Sequence, residues 1–198
     1  MTNLELQNLV KKNLKGFSLD DQFEQRSVGD KIENDCKEIV KSNLPNNYQE
    51  PRSKKSTEDF TIFENKADKV YDDYIDVKTH FIQEEEGFSM PNLISVDKLK
   101  PLLEDDTKTL SYLFVDYTRK NGNLNIEDVK VKYIWELDWS ILGIGGLGRG
   151  QLQIKNANKD LVFTDMGKEA WLEILESEVP VFYDKQIEKF KKLKTKWS

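Results

Sequence analysis

The stretch Leu110–Tyr117 (LSYLFVDY) constrains the fold of this chain more than any other, because it is nearly continuous in apolar and aromatic residues. A strand of that composition has to be covered on both faces, which places it in the middle of a sheet with helices packed against it. Two further segments, Phe60–Phe63 and Tyr74–Phe81, read as strands of the same sheet core. The expected fold class is therefore α/β, a mixed central β-sheet flanked by helices.

The chain has 198 residues, enough for one full core, and a single domain over 1–198 is expected. Its 37% hydrophobic content, four Trp and ten Phe are those of a folded chain. No apolar run approaches the ~18 residues of a membrane span, and the N-terminus MTNLELQNLVKKNL is amphipathic and polar, unlike a signal peptide. No membrane partner is expected, and the cytoplasm is the expected location. The single cysteine, Cys36, rules out an internal disulfide and a cysteine-based metal cluster, and is expected as a small buried helix residue.

Asn3–Leu14 carries Leu6, Leu9, Val10 and Leu14 at helical spacing, a stripe suited to a core or to a subunit contact. Val28–Leu44 is a stronger helix with Ile32, Cys36, Ile39 and Val40 inward, and Pro45 ends it. Residues 1–44 thus form an N-terminal helical region. Ser95–Asp105 suits a crossover helix limited by Pro101. Asn121-Gly122 is a turn signal, after which Val129, Val131, Tyr133 and Trp135 alternate as a strand. At the C-terminal end, 165–198, two helices are expected, Asp165–Ser177 and Val181–Trp197, with Pro180 between them. The second has a lysine-rich end suited either to backbone phosphates or to solvent.

The chemistry concentrates in Glu58–Thr79, within the sheet core of 58–135. EDFTIF and YIDVKT read as two strands joined by a polar connection, and alternation puts Asp76 and Lys78 on one face with Ile75 and Val77 on the other. Asp59, at the start of the first strand, can close a triad with them. Two carboxylates beside a lysine suit metal-assisted attack on a phosphodiester: the carboxylates hold a hard divalent cation, and the ammonium steadies the water and the phosphate oxygens. The plain alternative is a solvated hairpin edge with ordinary surface charges. His80 is read as structural.

These residues resemble the PD-(D/E)xK nucleases, whose core is Pro-Asp, a spacer, then Asp or Glu, any residue, and Lys. Here Asp59 is followed by Asp76-Val77-Lys78, while Glu58 stands where the family has proline. The wording D-F-T-I and I-D-V-K-T is similar to the type II restriction endonucleases of the EcoRV and HincII branch. The resemblance implies a restriction-endonuclease-like fold and Mg²⁺-dependent, sequence-specific cleavage of double-stranded DNA, leaving 5′-phosphate ends. It also implies Asp59, Asp76 and the Val77 carbonyl as metal ligands and Lys78 at the water. Glu33 occupies the place from which similar nucleases supply a helical carboxylate; otherwise it is a surface partner of Lys37.

The same resemblance assigns DNA contacts. The loop Asn46–Thr57 offers Asn47, Gln49, Arg52, Lys54 and Lys55, with a flexible solvated loop as the alternative. Thr79 completes the I-D-V-K-T run. The Gly-rich stretch Trp139–Asn156 would enter the major groove with Gly146 allowing close approach and Arg149, Gln151, Gln153 and Asn156 reading base edges. It could equally be a turn between two strands. It lacks a Walker lysine and misses G-x-G-x-x-G, so no nucleotide cofactor is expected.

The net charge of −6 does not announce a DNA partner, but its distribution allows one. Glu58–Asp106 holds 14 acidic and 5 basic residues, leaving 22 acidic and 25 basic elsewhere, so the acidity gathers around the proposed metal site. Cutting both strands of a palindrome with one site per chain needs a two-fold partner, hence a homodimer. Two other functions remain: a structure-specific repair nuclease or junction resolvase of this fold, and a non-catalytic DNA-binding module.

Overall fold

A computed structural model describes residues 1–18, 25–53, 56–66, 68–82, 92–145, 150–155 and 161–197, with 25 and 26 described by their backbone alone. In chain order the elements are α1 (Asn3–Asn13), β1 (Phe17–Ser18), α2 (Gln25–Asn43), β2 (Tyr48–Gln49), β3 (Phe60–Lys66), β4 (Lys69–Phe81) and β5 (Asn92–Ser95). There follow α3 (Val96–Leu103), β6 (Lys108–Lys120), β7 (Asn123–Tyr133), a 3₁₀ turn (Ile134–Glu136), β8 (Leu142–Gly145), β9 (Gln151–Ile154) and α4 (Lys168–Thr195). They belong to two compact units, Met1–Gly87 with Leu102–Ile134, and Phe88–Pro101 with Trp135–Ser198.

The first unit is built on a six-stranded sheet in the order β1-β7-β6-β4-β3-β2. β4 and β6 run parallel, and the other pairs are antiparallel, so the sheet is mixed as expected. β6 lies between β4 and β7 and buries Leu110 through Val115, which is why its sequence is almost unbroken in apolar residues. One face, carrying Ile75, Val77, Leu113, Val115, Val129 and Val131, packs on α1 and α2. α2 supplies Val28, Ile32, Cys36 and Val40, one per turn and all fully buried. Each such side chain contributes roughly 1.5–3 kcal/mol. A capping box opens α1: Thr2 Oγ1 accepts from Glu5 N–H at 3.2 Å and Glu5 Oε2 from Thr2 N–H at 2.7 Å.

Between β6 and β7, Asn121 and Gly122 take φ of 54° and 72°, the two left-handed positions of a tight hairpin turn, as the Asn-Gly pair predicts. The second unit holds a three-stranded sheet, β5-β9-β8, and the long helix α4, whose Trp171 and Leu175 are buried. The Trp171 indole N–H donates to the Leu137 carbonyl at 2.9 Å.

The elements differ from expectation in several places. Trp135 lies in the 3₁₀ turn instead of continuing a strand. The loop 46–57 contains β2, which pairs with Ile62 and Thr61 of β3. The strands β1 and β5 have no counterpart in the expected elements. The Gly-rich stretch is largely the antiparallel pair β8 and β9, because Leu142 and Ile144 alternate with glycines and Leu152 and Ile154 with glutamines, so each strand has an apolar side. The two C-terminal helices are one, α4, running through Pro180. That proline costs the Glu176 carbonyl one helix hydrogen bond, but it sits on an exposed side where water can take that place.

Candidate active site

Asp59 immediately precedes β3, where its N–H donates to the Ile75 carbonyl at 2.8 Å and anchors it across from the middle of β4. Its Oδ2 accepts from Val77 N–H at 2.7 Å. Asp76 and Lys78 leave β4 on the face opposite Ile75 and Val77, as alternation predicts, but Asp76 is buried, not merely projecting. Lys78 Nζ lies 2.8 Å from each of its carboxylate oxygens. From α2, one position beyond the buried Ile32, Glu33 pairs with Lys37. Asp59 is within hydrogen-bonding reach of both Glu33 and Asp76. Thus three carboxylates and two lysines, drawn from α2, the start of β3 and the middle of β4, form one cluster in the first unit.

Burial dominates the electrostatics. It pushes the Asp76 carboxyl up to about 8; Lys78 opposes the rise and Asp59 adds to it. Burial likewise raises Glu33, with Lys37 opposing and Asp59 reinforcing. The Cys36 thiol is pushed up to about 12 by burial and by the nearby carboxylates, so it is an inert core group. Three acids this close repel one another unless protons, lysines or a cation balance them.

The donor set fits a hard divalent cation in kind, since it offers carboxylate and carbonyl oxygens without sulfur or imidazole. Asp59, Asp76 and the Val77 carbonyl are the groups that would hold it. Among the described residues, no three His, Cys, Asp or Glu side chains are already gathered as a ligand set. Asp76 is instead engaged by Lys78 and Asp59 by the Val77 N–H.

Of the DNA-contact candidates, Gln49 and Arg52 are exposed, Gln49 on β2 and Arg52 just after it. Asn47 is tied down, donating through Nδ2 to the Phe63 carbonyl at 2.9 Å. Thr79 lies against α2, its Oγ1 only 3.2 Å from where a Cβ on Gly29 would stand. Gln151 and Gln153 alternate with buried Leu152 and Ile154 on β9, and the Gln153 amide bonds Asn92 of β5. Lys54, Lys55, Gly146, Arg149 and Asn156 lie outside the described residues. The cluster around Asp76 belongs to the first unit, and the β8–β9 hairpin to the second.

Three features escaped the sequence reading. Tyr112 stands opposite Asp76 in the parallel β4–β6 register, fully buried, its hydroxyl without a hydrogen-bonding partner among the described residues. Its phenol is raised well above the usual value, by burial first and by Asp76 second. Asp73 accepts from the hydroxyls of Thr109 at 2.8 Å and Ser111 at 2.9 Å, and burial pushes its carboxyl up to about 6. His80 meets Asp116 at 3.2 Å, whose other oxygen accepts from Lys130 at 2.8 Å. Each depends on the pairing of β4, β6 and β7, for which the local sequence carries no signal.

No protein-family model and no curated protein matches this sequence. Among solved structures the chain is similar to the NlaIV restriction endonuclease, with a TM-score of 0.56 at 14% identity over 90% of this chain and 78% of that one. The central mixed sheet flanked by helices is thus a restriction-endonuclease-like fold. No described helix is long and apolar enough to cross a membrane.

Proposed function

We propose that this chain is a Mg²⁺-dependent endonuclease that cuts double-stranded DNA at specific sequences, in the manner of the type II restriction enzymes, with the two units acting as one nuclease domain and the chain working as a homodimer. The observation that carries the reading is the contact of Asp59, Asp76 and Lys78 at the start of β3 and the middle of β4, with Glu33 beside them. The fold shared with a restriction endonuclease supports it. So does the D-F-T-I and I-D-V-K-T wording, which is the basis for the EcoRV and HincII affiliation.

In this reading Asp59, Asp76 and the Val77 carbonyl hold the cation and Glu33 steadies Asp59 from α2. A bound Mg²⁺ supplies a lowered water pKa and neutralises charge on the scissile phosphate. Lys78 orients the water against the phosphorus. The water oxygen bonds to phosphorus, the bond to the 3′-oxygen breaks, and that oxygen takes a proton, leaving 5′-phosphate and 3′-hydroxyl ends. Arg52, Lys54 and Lys55 meet backbone phosphates, and Arg149, Gln151, Gln153 and Asn156 read base edges.

The test is digestion of long unmodified DNA with Mg²⁺, followed by sequencing of the ends. A recurrent sequence at the cut supports the reading. Cleavage confined to branched substrates would assign a junction or repair enzyme instead, and cleavage equally strong in Asp76→Ala would remove the proposed site.

A further inference from the structure

The second half of α4 carries a row of lysines with which no described acid pairs. Lys185, Lys189, Lys192 and Lys196 are spaced by four, three and four residues, so at ~100° per residue they fall within a sector of about 60° on one side of the helix. Lys196 is the C-cap residue and still has helical backbone angles, φ −75° and ψ −18°, so the row runs unbroken to the end of α4. All four are exposed, and none forms an ion pair among the described residues, whereas Lys191, outside the sector, bonds Glu188 at 2.7 Å. Asp184 and Glu188 border the row on one side only.

Helix electrostatics alone does not call for this arrangement. Like charges three and four residues apart repel one another and oppose the helix. Cations do favour a helix C-terminus, but that effect fades within the last turn, so it accounts for Lys192 and Lys196 and leaves Lys185 and Lys189 unexplained. A face that only meets water commonly alternates acid with base, and this one does not.

The place where the row begins indicates its occupant. Within the second unit, Lys185 lines a groove of about 530 Å³ between α4 and the β8–β9 hairpin, together with Gln153, Lys155 and Glu178. Lysines of the hairpin and of α4 thus open on one groove with a glutamine proposed to read bases. From there the row continues for 11 residues, about 16.5 Å at ~1.5 Å per residue. Over that length a DNA duplex carries about ten phosphates, one per ~1.7 Å, so each ammonium can reach one on its flexible stem. We infer that the lysine face of α4 binds the phosphate backbone of a DNA duplex beside the hairpin, holding it without regard to sequence. The inference takes the identity of the polyanion from the proposed function and needs no part of the carboxylate cluster.

The test combines Lys185→Gln, Lys189→Gln, Lys192→Gln and Lys196→Gln, which keep good helix formers at exposed positions, so unchanged helical circular dichroism is expected. Binding of a random-sequence duplex is followed by fluorescence anisotropy across about 50 to 200 mM salt, without divalent cation so that nothing is cut. At about 0.9 per phosphate contact, the slope of log affinity against log salt is expected to flatten by roughly 3 to 4, and Lys189→Gln alone by about 0.9. Lys12→Gln, Lys15→Gln, Lys69→Gln and Lys120→Gln together remove the same charge from exposed positions of the first unit and are expected to change the slope far less. An unchanged slope in the α4 variants, an equal change in the first-unit variant, or a parent chain that binds no duplex under these conditions overturns the inference. So does an α4 variant that loses binding to vesicles of phosphatidylserine and phosphatidylcholine but not to DNA, which would make the row a membrane-surface contact. Absence of Mg²⁺-dependent cleavage counts only against the nuclease reading, since none of these readouts measures it.

Discussion

Lys78 Nζ sits 2.8 Å from both carboxylate oxygens of Asp76, yet the buried Asp76 carboxyl is still pushed up to about 8. The lysine therefore does not fully offset burial and the neighbouring Asp59, and in the metal-free protein near pH 7 the carboxyl is mostly protonated.

The first prediction concerns cation uptake. A divalent cation needs the ionised carboxylate, so binding at pH 7 is expected to release a proton from Asp76, and affinity is expected to rise up to about tenfold per pH unit until about pH 8. Calorimetry with Ca²⁺ in buffers of different ionisation enthalpy measures the release. Its persistence in Asp76→Asn would assign the proton to another group. Ca²⁺ is expected to support DNA binding without turnover.

The second separates chemistry from stability. Lys78→Ala is expected to lower cleavage by about 10²-fold or more, while Asp76 avoids an uncompensated charge by keeping its proton. Asp76→Asn is expected to be inactive but about as stable as the parent without metal, because near pH 7 the parent's buried carboxyl is itself mostly uncharged. Plasmid nicking and thermal melts measure the two effects. A large drop in melting temperature for Asp76→Asn would show that the carboxylate stabilises the fold.

The third is a pH dependence of stability. The folded pKa of Asp73, about 6, lies above the ordinary carboxylate value because of burial, with Thr109 and Ser111 only partly opposing it. Between about pH 4 and 6 the folded state then binds more protons than the unfolded one. The contribution of Asp73 is full below that window, is lost as pH rises through it, and amounts to at most about 3 kcal/mol. Asp73→Asn keeps an oxygen for both hydroxyls and is expected to flatten this slope in urea midpoints taken from pH 4 to 7. Parallel curves for parent and variant would show that Asp73 is ordinary.

The fourth concerns base reading. Gln151→Ala is expected to lose roughly 1–3 kcal/mol of discrimination at one base pair while nonspecific binding hardly changes. Lys54→Ala or Lys55→Ala is expected to weaken binding to all sequences alike and to flatten the salt dependence. Cleavage of the cognate site and its single-base variants at fixed salt measures both. Equal losses on every site for Gln151→Ala would make the hairpin a positioning element only.

What the sequence determined by itself was whatever depends on neighbours along the chain. Alternation in I-D-V-K separates Asp76 and Lys78 from Ile75 and Val77, the one-per-turn apolar residues of α2 define its buried side, and Asn121-Gly122 closes its hairpin, because backbone geometry sets all three locally. That Leu110–Tyr117 is a strand covered on both faces was legible for the same reason, since its apolar run is local. Only the tertiary structure decided that Asp76 is buried opposite Tyr112, that Glu33 reaches Asp59, that Asp73 turns to Thr109 and Ser111, and that α4 runs through Pro180. Burial and charge coupling depend on distances between residues far apart in sequence, and those distances exist only once β4 and β6 have paired in register.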